Sequence, residues 1–250
     1  MKTLYFHGKP GPVQFGRLIK LMPDATFDRS TKSSIPVLAF WKQPQAFDRF
    51  SQKLKIETHG QVQICFEYPV RSADKHSKSS FSDVMCITDD YAIAIEGKWT
   101  ECRGDRVEKW RKRVNAEHRE SVLKHWLCCI ERFTKRRPDE NGLDDAIYQM
   151  LHRTASACVA AEGGRKACVV YQCFRESDKQ KPKTGSDLKH LKKIIFGDQP
   201  MDRLRFFVLD VQIKRTHRFQ ELNKHSANQL RDALLAGPLF EFESLEGHEI

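Results

Sequence analysis

Residues 80–101, SFSDVMCITDDYAIAIEGKWTE, hold two strand-like runs on either side of the turn-forming pair Asp89 and Asp90. A turn centred between the two aspartates makes Thr88 face Tyr91, Cys86 face Ile93 and Asp83 face Glu96. Asp83, Met85, Ile87, Ala92, Ala94, Glu96 and Lys98 then share one face of the hairpin, and Val84, Cys86, Ile93 and Ile95 form the other. Directly opposed side chains have Cβ atoms about 5 Å apart, and like charges there destabilise the pair unless something positive intervenes. A divalent cation is the expected answer.

Outward from the hairpin, QVQICFEYPV (61–70) has period two, with Val62, Ile64 and Phe66 on one face and Gln63, Cys65 and Glu67 on the other. A polar segment, 71–80, joins it to the hairpin, so a three-strand meander is expected. Helical spacing follows over 106–133 (Val107, Trp110, Val114, Val122, Trp126, Ile130, Phe133), and RRPDENG ends it. A second helix is expected over 144–162, with small residues from Ala155 to Ala161 and a stop at Gly163 and Gly164. ACVVYQCF and LRFFVLDVQI read as buried strands with a Lys-rich helix, 186–196, between them. A short helix around 227–236 and an acidic tail, 239–250, complete the chain. The first 55 residues, broken by glycines and prolines, read as loops and short helices, with a helix over 44–54. No repeat or linker divides the chain, so a single domain over 1–250 is expected: N-terminal segment 1–55, core 59–213 and C-terminal part 214–250.

With 43 basic and 33 acidic side chains the net charge is +10, which suggests a polyanionic partner. The excess is uneven: residues 102–137 hold 12 Lys/Arg against 5 Asp/Glu, and residues 179–193 hold 6 Lys against 1 Asp. Solvated faces are the favoured explanation of such runs unless a site lies beside them. The longest apolar run, 35–41, is far short of the ~20 residues that cross a bilayer. No signal-peptide pattern opens the chain, so a cytoplasmic protein with no membrane partner is expected. The eight cysteines have no zinc-finger spacing and read as reduced, mostly buried thiols. Cys168 and Cys173 are five apart on a strand and point to opposite faces. Trp99, Trp110 and Trp126 read as core.

Two hard oxygen ligands and a nearby Lys are what metal-assisted phosphodiester cleavage needs: carboxylates to hold Mg2+ or Mn2+, and an ammonium for developing negative charge. Asp83 followed by Glu96-Gly97-Lys98 resembles the D…(D/E)-x-K signature of the restriction-endonuclease-like nuclease superfamily. EGKWTE and the later YQMLHRTASA resemble blocks of bacterial restriction-endonuclease-like proteins. Ser82 stands where the superfamily usually has Pro. The resemblance implies an α/β (α+β) fold, with a mixed central sheet built on an antiparallel three-strand meander and flanked by helices. It further implies a Mg2+- or Mn2+-dependent nuclease with Asp83 and Glu96 as ligands and Lys98 as the catalytic cation. DNA is the expected partner, and a homodimer is compatible with this reading. A non-catalytic nucleic-acid-binding or interaction module that keeps the fold is the alternative.

Glu67 faces away from Phe66, and the resemblance, many of whose members place one more acid in the site, makes it a candidate third acid and third metal ligand, with a structural role as the alternative. Gln149 and His152 lie three apart on a helix beside Arg153 and Ser156, a polar stripe that can look into the site; the resemblance makes them a loose analogue of the Gln and Tyr in exonuclease-like members. Glu101 is expected to play a structural role.

Overall fold

The computed structural model describes residues 2–7, 11–72, 79–101, 103–177, 183–197, 199, 202–222 and 226–250. Among these, seven strands form one mixed sheet in chain order: β1 (Lys2–His7), β2 (Gln61–Val70), β3 (Ser80–Ile87), β4 (Tyr91–Lys98), β5 (Lys166–Arg175), β6 (Leu204–Arg215) and β7 (Phe240–Glu249). The hairpin register is the expected one: Ile87 pairs with Ala92, Cys86 with Ile93, Met85 with Ala94 and Val84 with Ile95. β2 completes the antiparallel meander. β4, β5 and β6 run parallel, which requires crossovers.

Those crossovers cover one face, called here the front. α4 (Val107–Arg111), α5 (Ala116–Thr134) and α6 (Tyr148–Ala160) lie between β4 and β5, and α7 (Thr184–Phe196) lies between β5 and β6. They pack with Met85, Ala92, Ala94, Val169 and Tyr171. The back face carries Val84, Cys86, Ile93 and Ile95 against α1 (Phe15–Leu21), α2 (Ser34–Trp41), α3 (Ala46–Leu54) and α9 (Ala227–Ala236). In α3, Phe47, Phe50 and Leu54 recur at helical spacing and are buried, while its polar positions face outward. Cys168 enters the back layer and Cys173 the front, as strand alternation requires. Trp126 is buried in the front layer, and Trp99 packs against the back one.

Four local expectations are corrected. The N-terminal segment contains a strand, β1, parallel to β2. The single helix over 106–133 is divided, because Asn115 takes a left-handed conformation (φ 64°) that Asn tolerates better than most residues. The helix expected from 144 starts at Tyr148, after a 3-10 turn over Glu140–Asp145. The acidic tail is strand β7, antiparallel to β6: Phe240 and Leu245 are buried, while Glu249 bonds Arg205 at 2.7 and 2.8 Å. Among the described residues no helix is long and apolar enough to cross a membrane.

Candidate active site

The meander carries a row of acids across its front. Extending the β3–β4 ladder by one residue sets Asp83 opposite Glu96, and Glu67 falls between the β2–β3 pairs Phe66–Val84 and Tyr68–Ser82, opposite Asp83. Glu96 in turn pairs with Tyr171 of β5. Glu67 keeps this register with φ 49°, a left-handed conformation within a strand, and such strain persists only where the surroundings enforce it.

Glu96 is 4% exposed, and both its oxygens are engaged. Oε2 receives NH2 of Arg153, itself 3% exposed. Oε1 receives Nε2 of Gln149 and lies 3.3 Å from Nζ of Lys98. Lys98 also donates to Oε1 of Gln149 at 2.6 Å. Gln149 and Arg153 sit one turn apart on α6, whose Ala155 and Ala157 are fully buried, so the helix approaches the sheet closely enough for both to reach β4. Arg153 NH1 also donates to the carbonyl of Phe81 and, at 3.1 Å, to Oγ of Ser82. Ser82 thus supplies an acceptor that a proline there would lack.

Asp83 Oδ2 accepts the Gly97 amide at 2.9 Å. Burial and the neighbouring Glu96 push its carboxyl up to about 8, against the opposing pull of Arg153. Burial raises Glu67 as well. The structure therefore brings together Asp83, Glu96, Lys98 and Gln149, with Glu67 at the end of the row. His152 lies to one side: its Nδ1 is 2.8 Å from Oγ of Ser80, its ring is beside Tyr148, and burial with Arg153 and Lys98 nearby lowers its pKa well below the usual range. Glu101 is structural, accepting the backbone amides of Ser33 (2.5 Å) and Trp99 (3.0 Å). Sequence reasoning names Arg153 only as a neighbour in the polar stripe and gives it no role of its own. A charged side chain among small, buried helical neighbours needs a buried partner, and that is its signal.

The acids fit a divalent cation in type, since Mg2+ is commonly held by one or two carboxylates with waters and substrate phosphates completing the shell. Among the described residues no group of three His, Cys, Asp or Glu side chains is arranged to hold a metal ion, so a metal site here rests on Asp83 and Glu96, with Glu67 beside them. Arg153 holds the charge of Glu96 in the meantime.

The basic stretch beside the site is largely self-neutralised. Arg106 pairs with Asp145, Arg111 with Glu120 and Asp144, Lys112 with Glu108, and Arg113 with Asp105. Cys102, Lys179 and Lys181 lie outside the described residues.

The chain belongs to the family described as Domain of unknown function (DUF6946), which matches residues 15–211 and so runs from α1 into β6 and includes the whole site. No curated protein and no solved structure matches it at a significant level.

Proposed function

We propose that this protein is a metal-dependent nuclease that hydrolyses phosphodiester bonds of DNA, with Asp83, Glu96 and Lys98 at its centre. The observation that carries the reading is the pair of carboxylates on adjoining strands with an ammonium 3.3 Å from one of them, at the end of β4. Asp83 and Glu96 would hold Mg2+ or Mn2+, which when bound supplies a Lewis acid for the phosphate and an activated water. Lys98, oriented by Gln149, presents its ammonium to the negative charge that grows on the phosphate. Arg153 pairs with Glu96 and fixes it in its buried position, a positioning role. Water adds across the P–O bond, leaving one phosphomonoester end and one hydroxyl end.

Engagement of both Glu96 oxygens by protein groups favours a second reading, a nucleic-acid-binding module without turnover. Metal separates the two. Circular and linear DNA, single- and double-stranded, incubated with Mn2+ or with chelator, should be cut only with metal and not by Asp83→Asn or Lys98→Ala. Absence of both cleavage and Mn2+ binding would overturn the nuclease reading in favour of the second.

A further inference from the structure

A cavity of about 500 Å3 opens beside Lys98, lined by Arg103, Gln149, Tyr171, Lys183 and Thr184 among others. It lies beyond the carboxyl ends of the parallel strands β4 and β5, where open α/β sheets receive ligands. Three features make its chemistry anionic. First, the initial turn of the 13-residue helix α7 lines it, and no side chain caps that turn. Backbone N–H groups at such an end attract a phosphate. Second, the acids of the cavity are already spoken for. Arg103 binds Asp187 with both Nε (2.8 Å) and NH2, and Glu101 is held by two backbone amides, whereas Lys183 makes no ion pair among the described residues. Third, Tyr171 is 1% exposed, and its buried hydroxyl has no hydrogen-bond partner among the described residues. A hydroxyl kept dry without a partner costs stability, so a ligand that accepts from it explains its retention.

We infer that this cavity is a phosphate-binding subsite, holding a nucleotide phosphate adjacent to the one at Lys98 through the Tyr171 hydroxyl, the Lys183 ammonium and the first turn of α7. The presence of the subsite is independent of the nuclease reading; only the identity of the molecule bearing the phosphate rests on it. The larger cleft near His152 is less suited to a ligand, because Trp110 is already stacked on Tyr148 (3.6 Å) and covered by Arg119 (4.8 Å).

The test is calorimetric titration of the full chain, in chelator, with inorganic phosphate, with thymidine monophosphate, and with a short oligonucleotide bearing or lacking a 5′-phosphate. Each phosphate probe should bind, and Tyr171→Phe and Lys183→Glu should each weaken binding by about tenfold, the worth of one charge-assisted hydrogen bond. Lys189→Glu, further along α7 and outside the cavity, should leave inorganic phosphate binding unchanged. Tyr171→Phe removes only a hydroxyl without a partner, so it should fold at least as stably as the parent, and a binding loss cannot be charged to misfolding. Preference for the 5′-phosphorylated oligonucleotide supports a terminal monoester as the occupant; equal affinity supports an internal diester. No phosphate binding, or binding indifferent to both variants, overturns the subsite. Parallel Mn2+ titration and DNA cleavage keep the readings apart: cleavage without phosphate binding defeats the subsite alone, and phosphate binding without Mn2+ binding defeats the nuclease alone.

Discussion

The two faces of the central sheet are built from alternate residues of the same strands, yet they solve packing differently. The back face is nearly all apolar and aromatic, with Phe27, Phe40, Trp41, Phe47 and Phe50 filling the space under α2 and α3, and its polar contacts include Trp41 Nε1 donating to Gln172 Oε1 at 3.2 Å. The front face is covered by a helix of small residues and buries Glu96, Arg153, Ser82 and Tyr171. A buried ion pair seldom stabilises a fold more than apolar side chains of similar volume would. Among the described residues the back face carries no such pair, and the chemistry proposed for Asp83, Glu96 and Lys98 would give the charges of the front a use other than stability.

The sharpest way to break this contrast is to remove one partner of the buried pair. Arg153→Met leaves Glu96 without its main counter-charge and should cost about 3–5 kcal/mol in urea unfolding. Adding Glu96→Gln should return most of that loss, whereas a front face held together by the ion pair itself would lose more. The back face should respond to volume instead. Gly97 separates Glu96 from Lys98 and turns its missing side chain toward α2, where a Cβ would overlap Val37 Cγ2. Gly97→Ala should therefore cost about 1–3 kcal/mol by overpacking, and Val37→Ala in the same chain should relieve it. A Gly97→Ala variant as stable as the parent would show that α2 does not constrain the middle residue of the Glu-x-Lys segment.

Legibility in the sequence divides along the line between local and long-range order. The hairpin register can be read because Asp89 and Asp90 pin the turn, and a two-residue period then fixes the faces of residues 84–87 and 92–95; before Val84 the alternation breaks, since Ser82 reaches Arg153 on the front although Val84 lies in the back layer. The β1 pairing cannot, since nothing in residues 2–7 names the strand they will join. β7 is hidden differently: its glutamates read as a charged tail, although FEFES alternates as a strand does, and a register shift at Gln212/Ile213 interrupts the pattern. On α6, the sequence points to Gln149 but not to its partner. At about 100° per residue, positions three and four further on lie to either side of Gln149, and periodicity alone does not choose His152 or Arg153. The sheet chooses, by offering Glu96 to one of them.

A milder perturbation sharpens the contrast through pH. The folded-state pKa of Asp83, pushed up to about 8 chiefly by burial, exceeds the ordinary carboxylate value of about 4. Between those limits the folded protein holds a proton that the unfolded chain has released, so stability falls as pH rises from about 4 to about 8. Asp83→Asn keeps an acceptor for the Gly97 amide and removes the titration, so its stability should be flatter across that window and higher than the parent's above it. Mn2+ should flatten the parent's curve in the same way by favouring the ionised carboxylate. A parent and variant with parallel pH profiles would mean that Asp83 titrates normally.

The smallest effects belong to the charges on the outside of the front layer. Lys109, 3.1 Å from Asp105, is largely exposed, and exposed pairs contribute about 0–1 kcal/mol. Lys109→Gln should leave stability within that range, against several kcal/mol for Arg153→Met. Its effect on DNA should be equally slight, because a cation already facing a carboxylate releases few counterions on binding. Lys183, without an acidic partner among the described residues, should behave otherwise: its reversal to Glu should lower the slope of log affinity against log salt by about 0.9, the share of the one phosphate it no longer neutralises. Measured across salt concentrations on the same duplex, the two variants tell whether phosphates are read by the whole basic surface or by the unpaired cations beside the site. Equal slopes for parent and Lys183→Glu would remove that lysine from the DNA path.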